Sequence, residues 1–238
     1  MSRAAVVLVL AVFAHATPPA HAQVVLAETP AAGECLKYAI EFDLSGKLVV
    51  TQEGAREAIA LRAKAKHAFV ERTLSVADGL PTRSARHYAG AGASAVVGAE
   101  KADRTLPADR ALVVAVRSSE GTACFSPAGP LTRDELDLVS EHFNPQCVPG
   151  LLPGKAVNVG DTWTVSPAAV QAACQFDGLI KNALTGKLTA SANGVATFTV
   201  EGTAEGIEHG AKVSLAVTAT GAFDLAAKRV TSITWKQK

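Results

Sequence analysis

A run of alternating residues near the carboxyl end constrains the fold of this chain more than any other feature. Between Lys187 and Trp235, apolar and polar side chains alternate with a period of two, which is the pattern of strands that bury one face. The dipeptide Asn193-Gly194 separates two of these runs, and both residues tolerate the positive φ angles of a tight hairpin turn. The segment therefore predicts four consecutive antiparallel strands in one sheet.

The amino-terminal half shows the same alternation. Strands are predicted over 34–44 and 47–51, and a turn at residues 43–46 joins them. The run from Ala55 to Ser75 is rich in helix-forming Ala, Lys and Arg, but its apolar residues recur at every second position, so we predict a strand. We expect a mainly β fold of antiparallel meander sheets, curved and half-barrel-like or sandwich-like, with one or two short helices.

Two helices are predicted, and they mark the division of the chain. Thr132-Arg133-Asp134-Glu135 is a capping box that starts a helix over 132–142, and Ser166 followed by Pro167 starts a shorter helix that reaches about Cys174. Residues 145–160 are rich in Pro and Gly, which is typical of a connector. The predicted units are an amino-terminal sheet with its helix over 23–144, and a short helix with a four-stranded sheet over 161–238; the two either stand apart or pack as one domain.

The first residues have the pattern of an export signal. Arg3 supplies a positive start, residues 4–14 are uninterrupted apolar residues, and Ala20-His21-Ala22 has the small-x-small form of a cleavage site. We predict a signal peptide over 1–22 with cleavage near Ala22. No later segment has the length and apolarity of a transmembrane helix, so we expect a soluble protein in the periplasm or outside the cell.

The charge balance argues against a polyanionic partner. The chain has 23 Lys and Arg against 22 Asp and Glu, and removal of the predicted signal peptide takes away Arg3 and leaves 22 of each sign. A balanced chain has no global field that attracts nucleic acid or an anionic membrane. We therefore predict no nucleic-acid partner.

All four cysteines follow the predicted signal peptide. They are Cys35, Cys124, Cys147 and Cys174. An even number of cysteines in an oxidising compartment favours at least one disulfide, and the sequence does not choose among the three possible pairings. No two of them have the close spacing of a zinc site, so neither a metal nor a cofactor is predicted.

One charged stripe is the candidate binding site. Arg62, Lys64 and Lys66 alternate along the third predicted strand, so their side chains share one face about 7 Å apart. On a concave face they would bind an anionic headgroup or carboxylate; on a solvent-facing side they would be an ordinary charged surface. No catalytic residue is predicted, because the chain has no Gly-x-Ser-x-Gly motif, and each mature histidine, at positions 67, 87, 142 and 209, fits a structural or surface role.

Several short blocks spread over the mature chain resemble a family of uncharacterised exported proteins from planctomycete-type bacteria. The blocks are Phe69-Val70-Glu71-Arg72, Arg86-His87-Tyr88, Gly129-Pro130-Leu131-Thr132, Glu141-His142-Phe143, residues 150–155, Val159-Gly160-Asp161-Thr162-Trp163 and residues 235–238. The resemblance implies no assigned activity and no catalytic residue. It also implies a polar tail beyond the last strand, so we expect this chain to be a shortened member.

Three functions from different classes are compatible with these patterns. The first is an exported non-catalytic binding protein, a carrier of an apolar or amphiphilic molecule such as a lipid. The second is a structural or protein-interaction domain of the cell envelope, and the third and most remote is a hydrolase. A cavity lined by small apolar residues would favour the first, an exposed apolar patch over a solid core the second, and a His beside an acid and a nucleophile the third.

Overall fold

The computed structural model of the protein describes residues 23–52, 55–118, 121–140 and 143–238. The predicted signal peptide lies outside these residues. Strands account for 65% and helices for 12% of the structure, and the sheets are open antiparallel meanders with two short α-helices. The predicted fold class is therefore confirmed.

The secondary structure follows the alternation of the sequence closely. The turn predicted at residues 43–46 is wrong, because the alternation continues through these residues and one strand, Cys35–Gln52, spans both predicted strands. The α-helices are α1 (Arg133–Ser140) and α2 (Pro167–Ala173), and two 3-10 helices span Ala108–Arg110 and Pro145–Leu151. The strands are β1 (Val24–Leu26), β2 (Cys35–Gln52), β3 (Ala55–Ala77), β4 (Leu80–Val97), β5 (Glu100–Thr105), β6 (Leu112–Ser118), β7 (Gly121–Phe125), β8 (Lys155–Val157), β9 (Thr162–Thr164), β10 (Gly178–Asn182), β11 (Thr185–Ala192), β12 (Val195–Glu208), β13 (Ala211–Asp224) and β14 (Arg229–Gln237).

The first sheet is built from long strands of the amino-terminal half. Its order is β2-β3-β4-β6-β7, and β5 pairs with the carboxyl-terminal part of β4. The run from Ala55 to Ser75 is strand, as predicted, because its small and apolar side chains at odd positions turn toward one face while its charged side chains turn toward the other. We call the face that carries Phe42, Ala65 and Phe69 the inner face, and the opposite face the outer face.

The second sheet has the order β14-β13-β12-β11-β9, and β10 pairs with β12. Its last four strands confirm the hairpins predicted between Lys187 and Trp235. Asn193 and Gly194 have φ angles of 51° and 78°, so the turn between β11 and β12 needs the conformations that these two residues tolerate.

Glycines in the second sheet make room for aromatic rings. A Cβ atom at Gly221 would lie 2.3 Å from the ring of Phe198, and one at Gly186 would lie 2.2 Å from the ring of Trp163. Both rings therefore rest on bare backbone of the neighbouring strand. The Trp163 indole also donates a hydrogen bond of 2.9 Å to the Leu151 carbonyl, which satisfies its only polar atom inside the core.

Local capping explains where both helices start. Thr132 N donates to the Glu135 carboxylate at 2.8 Å and Glu135 N donates to Thr132 Oγ1 at 3.3 Å, which is the predicted capping box. Ser166 Oγ accepts from Ala169 N at 3.2 Å and starts α2 in the same manner. The predicted end of the first helix at His142 lies outside the described residues.

The segment 145–160 is more than a linker. It contains the 3-10 helix and β8, and β8 pairs with β1, so Leu26, Leu151 and Val157 are buried in the core of the second sheet. Side chains also join the two halves directly: Arg229 contacts Glu34 at 2.6 Å, Val230 N donates to the Glu28 carboxylate, and Phe143 packs on Trp235 with ring centroids 5.8 Å apart. These contacts position the cleft described next.

Candidate binding cleft

A cleft of about 1200 Å³ lies between the inner face of the first sheet, α1 and the end of α2. Its volume exceeds the range of about 300–1,000 Å³ that is usual for sites of drug-sized ligands. Residues Gln171 and Ala172 of α2 and the following Phe176 contribute from the side of the second sheet. The cleft therefore depends on the two halves of the chain together.

The wall formed by the first sheet is apolar and wide. Phe42 pairs with Ala65 and Leu44 pairs with Ala63 across β2 and β3, and Ala93 continues the first of these rows into β4. All five side chains line the cleft. Alanine side chains leave space above the sheet, so Phe42 and Leu44 stay 41% and 40% exposed on a face that elsewhere is core.

Helix α1 covers one end of this wall. Leu138 and Val139 are buried against the inner face beside Phe69 and Tyr88. Arg104 of β5 fixes the polar side of the helix through Asp134 at 2.9 Å and Asp137 at 3.6 Å. These ion pairs are partly exposed, and such pairs contribute at most about 1 kcal/mol each.

The deep end of the cleft contains a buried ion pair. Arg86 Nε donates to Glu71 Oε2 at 2.6 Å, and the two side chains are 1% and 4% exposed. Ser84 Oγ donates to the same carboxylate oxygen at 3.0 Å, and the other end of the guanidinium donates to Asn144 Oδ1 at 2.7 Å. The Arg86 charge is thus neutralised and its guanidinium is held from two sides.

This polar network connects the first sheet to the segment that follows α1. Asn144 Nδ2 donates to Thr122 Oγ1 at 2.9 Å, and Gln146 Nε2 donates to Ser84 Oγ at 2.8 Å. The guanidinium carbon of Arg86 also lies 5.3 Å from the centre of the Phe69 ring, within the range of a cation–π contact. Buried polar groups with this many partners specify one arrangement of the elements that carry them.

The electrostatics of the deep end favour neutral side chains around this pair. Burial acts most strongly on Arg86 and lowers its pKa, but Glu71, Tyr88 and Cys124 together outweigh burial, so the pKa of Arg86 is raised. Burial, and then repulsion from Arg86, lower the pKa of His67 to about 4, so its imidazole is uncharged at neutral pH. Burial also raises the pKa of the Cys124 thiol. His67 and Cys124 line the cleft uncharged, and the positive charge of Arg86 beside them is balanced by Glu71.

The predicted charged stripe lies on the outer face. Lys64 is 3.3 Å from Asp43, and Lys66 is 2.8 Å from Glu41, and all four side chains are well exposed. The hydrogen bond from Lys66 lowers the pKa of Glu41 and raises the pKa of Lys66. Lys64 also borders the cleft. A role of Arg62, Lys64 and Lys66 in anion binding stays a prediction, and carboxylates on β2 already occupy the two lysines.

The predicted disulfide is wrong for this structure, in which all four cysteines are free thiols. Cys35 is exposed in the edge strand β2, whereas Cys124 lies in β7 at the opposite edge, and four strand spacings of about 4.8 Å exceed the reach of a disulfide. Cys147 and Cys174 are buried among apolar side chains of the second sheet, and burial raises the pKa of each to about 12. They act there as small hydrophobic side chains.

The sequence reasoning missed the buried charges, although a signal for them was present. Glu71 follows His67 and Phe69 at every second position, so the alternation that predicts β3 also turns Glu71 inward. A charged residue at an inward position requires a partner. The structure supplies this partner from an inward position of the next strand, where Arg86 lies directly opposite Glu71.

No group of three or more His, Cys, Asp or Glu side chains within the described ranges is arranged to hold a metal ion. Across the same part of the chain, the helices are too short or too polar to cross a membrane. Comparisons with protein-family models, with curated proteins and with solved structures found no significant match. The resemblance to an exported family therefore stays a prediction.

Proposed function

We propose that this protein is an exported, non-catalytic binding protein that carries an apolar or amphiphilic molecule in the cleft. The observation that supports this most directly is a cleft of about 1200 Å³ whose main wall is a sheet face of Ala, Leu and Phe. Each methylene that a ligand buries there contributes about 0.8 kcal/mol. An acyl or isoprenoid chain fits this wall by its chemistry.

The deep end favours a ligand without charge. The Arg86 guanidinium is already bonded to Glu71 and Asn144, so an anionic headgroup would have to displace a partner inside a buried site. The uncharged imidazole of His67 and the thiol of Cys124 suit a hydroxyl, amide or ester group instead. We therefore assign the ligand to the neutral amphiphiles.

A structural or interaction role in the cell envelope is the second candidate. Leu48 and Val49 are 47% and 59% exposed on the part of the β2–β3 ribbon that extends beyond the strand pairing of β4. Exposed apolar residues at a projecting end are typical of contact surfaces. This role needs no cleft, so the cleft itself favours the carrier.

Native mass spectrometry of the mature chain after bacterial expression, combined with titration of the neutral dye Nile red, tests the carrier proposal. The variant Ala65→Trp fills the cleft, and its matched control Ala60→Trp places the same side chain on the exposed outer face of β3. We expect the wild type and Ala60→Trp to bind the dye or retain a small molecule, and Ala65→Trp to lose at least tenfold in affinity. Equal binding by the two variants, or no binding by any of the three proteins, contradicts the carrier proposal.

A further inference from the structure

The edge strand β2 has a long free edge. It pairs with β3 along its 18 residues, and no other strand of the described residues pairs with it. At about 3.3 Å per residue, the free edge is about 60 Å long. Every residue from Glu41 to Val49 is exposed. The backbone donors and acceptors that point away from β3 are thus accessible to another strand.

Three features that commonly block strand addition are missing from β2, although its outer face carries charged side chains, among them Lys37 and Lys47. Proteins protect edges with Pro, with bulges or with inward-pointing charges. Cys35–Gln52 contains no Pro, its register with β3 has no shift, and each of its inner-face positions, from Leu36 to Gln52, is uncharged. By contrast, β14 at the edge of the second sheet has nine residues and a register shift opposite Ala222 and Phe223. Of these two edges, β2 is the one suited to pairing.

We propose that β2 pairs with β2 of a second copy of this chain, antiparallel, around a two-fold axis at Leu44. An axis perpendicular to the sheet keeps inner faces on the same side, so residues at equal distances from the axis residue face each other. This register uses residues 36–52 of both copies. It is closed and isologous, so it ends at a dimer.

The charges on the outer face support this register. An axis at Leu44 places Glu41, which also pairs with Lys66 of its own chain, opposite Lys47 of the second copy, and the symmetry makes this contact twice. An axis at Phe42 would instead place Glu41 opposite Asp43, and like charges directly opposite destabilise a strand pair. An axis at Ser45 would pair Asp43 with Lys47 but would engage two residues fewer.

The side chains on the inner face fit the same register. Phe42 faces Gly46, which leaves room for the ring, Ile40 faces Leu48, and Leu44 faces its own symmetry mate. No atom lies within 4 Å of the position that a Gly46 Cβ would occupy, so the space for the Phe42 ring is present. The pairing joins the apolar inner faces of two copies into one surface, and it requires no ligand.

Analytical ultracentrifugation of the mature chain, together with cysteine crosslinking in a Cys35→Ser background, tests the dimer. Residues opposite each other in an antiparallel pair have Cα atoms about 4.5–5.5 Å apart, within reach of a disulfide. Leu44→Cys should therefore crosslink to its own mate on mild oxidation. Leu48→Cys is the matched control, because its mate lies eight residues along the strand, about 26 Å away.

We expect the wild type to sediment at twice the monomer mass. After oxidation and denaturation, Leu44→Cys should remain a crosslinked dimer, and Leu48→Cys should be a monomer. Lys47→Glu should weaken the dimer about tenfold by placing carboxylates opposite each other twice, whereas Lys37→Glu, opposite Thr51, should not. Circular dichroism verifies that each variant is folded. A wild type that stays monomeric at high concentration overturns the dimer, and preferential crosslinking of Ser45→Cys or Leu48→Cys overturns the Leu44 axis.

Discussion

Replacement of Arg86 by methionine should destabilise the protein by about 3–5 kcal/mol, because the Glu71 carboxylate would then be buried without a cation. The pair is 2.6 Å apart, and both side chains are at least 96% inaccessible to solvent. The change also removes the hydrogen bond from the guanidinium to Asn144. Methionine keeps the length and apolar bulk of the arginine stem, so the loss reflects charge and hydrogen bonding more than packing.

Lys66→Met is the matched control for this change. Lys66 belongs to the strand that carries Glu71, and its ion pair with Glu41 has a similar length of 2.8 Å, but the two side chains are 78% and 75% exposed. Exposed pairs of this kind contribute little to stability, because solvent and salt screen the two charges. The two variants therefore separate the effect of burial from the effect of the ion pair itself.

Urea unfolding monitored by circular dichroism measures both variants. With a denaturant dependence of about 2–3 kcal/mol per molar, the midpoint should fall by about 1–2.5 M for Arg86→Met and by less than about 0.5 M for Lys66→Met. The double variant Glu71→Gln with Arg86→Met should lose less than the sum of the two single losses, because it leaves no buried charge. An Arg86→Met midpoint equal to that of Lys66→Met would refute the argument that burial makes this pair critical.

Two further predictions concern the pH dependence of stability and the packing of the second sheet. The pKa of His67 falls to about 4 in the folded protein from an ordinary value of about 6.5, so its contribution to stability is complete above about pH 6.5 and is lost as the pH falls toward 4, by up to about 3 kcal/mol. Urea midpoints of the wild type should fall over this range more steeply than those of His67→Gln, and parallel slopes would contradict the assignment. Gly221→Ala should lower the free energy of unfolding by about 1–3 kcal/mol, because its Cβ would lie 2.3 Å from the Phe198 ring. A Cβ atom at Gly90 would meet no atom within 4 Å, so Gly90→Ala should change stability by less than about 1 kcal/mol in urea unfolding; equal losses for the two variants would show that the ring contact is unimportant.

Alternation and capping predicted most of the elements because they act within a few residues. The Asn193-Gly194 turn, the capping box at Thr132 and the strand assignment of Ala55 to Ser75 all depend on local geometry, and the structure confirms each of them. Local signals also exist for Glu71 as an inward charge. They do not identify its partner.

The sequence does not predict Arg86 as the partner of Glu71, because the register of β3 with β4 contains shifts. One shift lies between Ala68 and Phe69, and after it Glu71 is directly opposite Arg86. A bulge moves every later residue relative to the neighbouring strand, and single-sequence patterns do not locate it. The sequence also does not predict the cleft, because the cleft forms where two distant parts of the chain meet.

The prediction of a disulfide depended on composition and compartment, which do not show which cysteines are close together. Distance excludes Cys35 with Cys124, whereas Cys147 and Cys174 are near each other and are nevertheless free thiols. Cys35 and Cys124 are at opposite edges of the first sheet, and Cys147 and Cys174 lie in the core of the second. An even number of cysteines is compatible with disulfides and with free thiols. Only the fold decides between them.

Asn144 joins the first sheet to the segment that leads into the second sheet. Its amide group receives a hydrogen bond from Arg86 and one from the backbone of Gln146, and it donates one to Thr122. Separation of the second sheet from the first would break the hydrogen bond between the buried Arg86 guanidinium and Asn144, which is unfavourable. Helix α1 is held by two buried apolar side chains, Leu138 and Val139, and by ion pairs near solvent. Under the carrier proposal, the hydrogen bonds of Asn144 would keep the two halves of the chain together while a cargo enters or leaves the cleft.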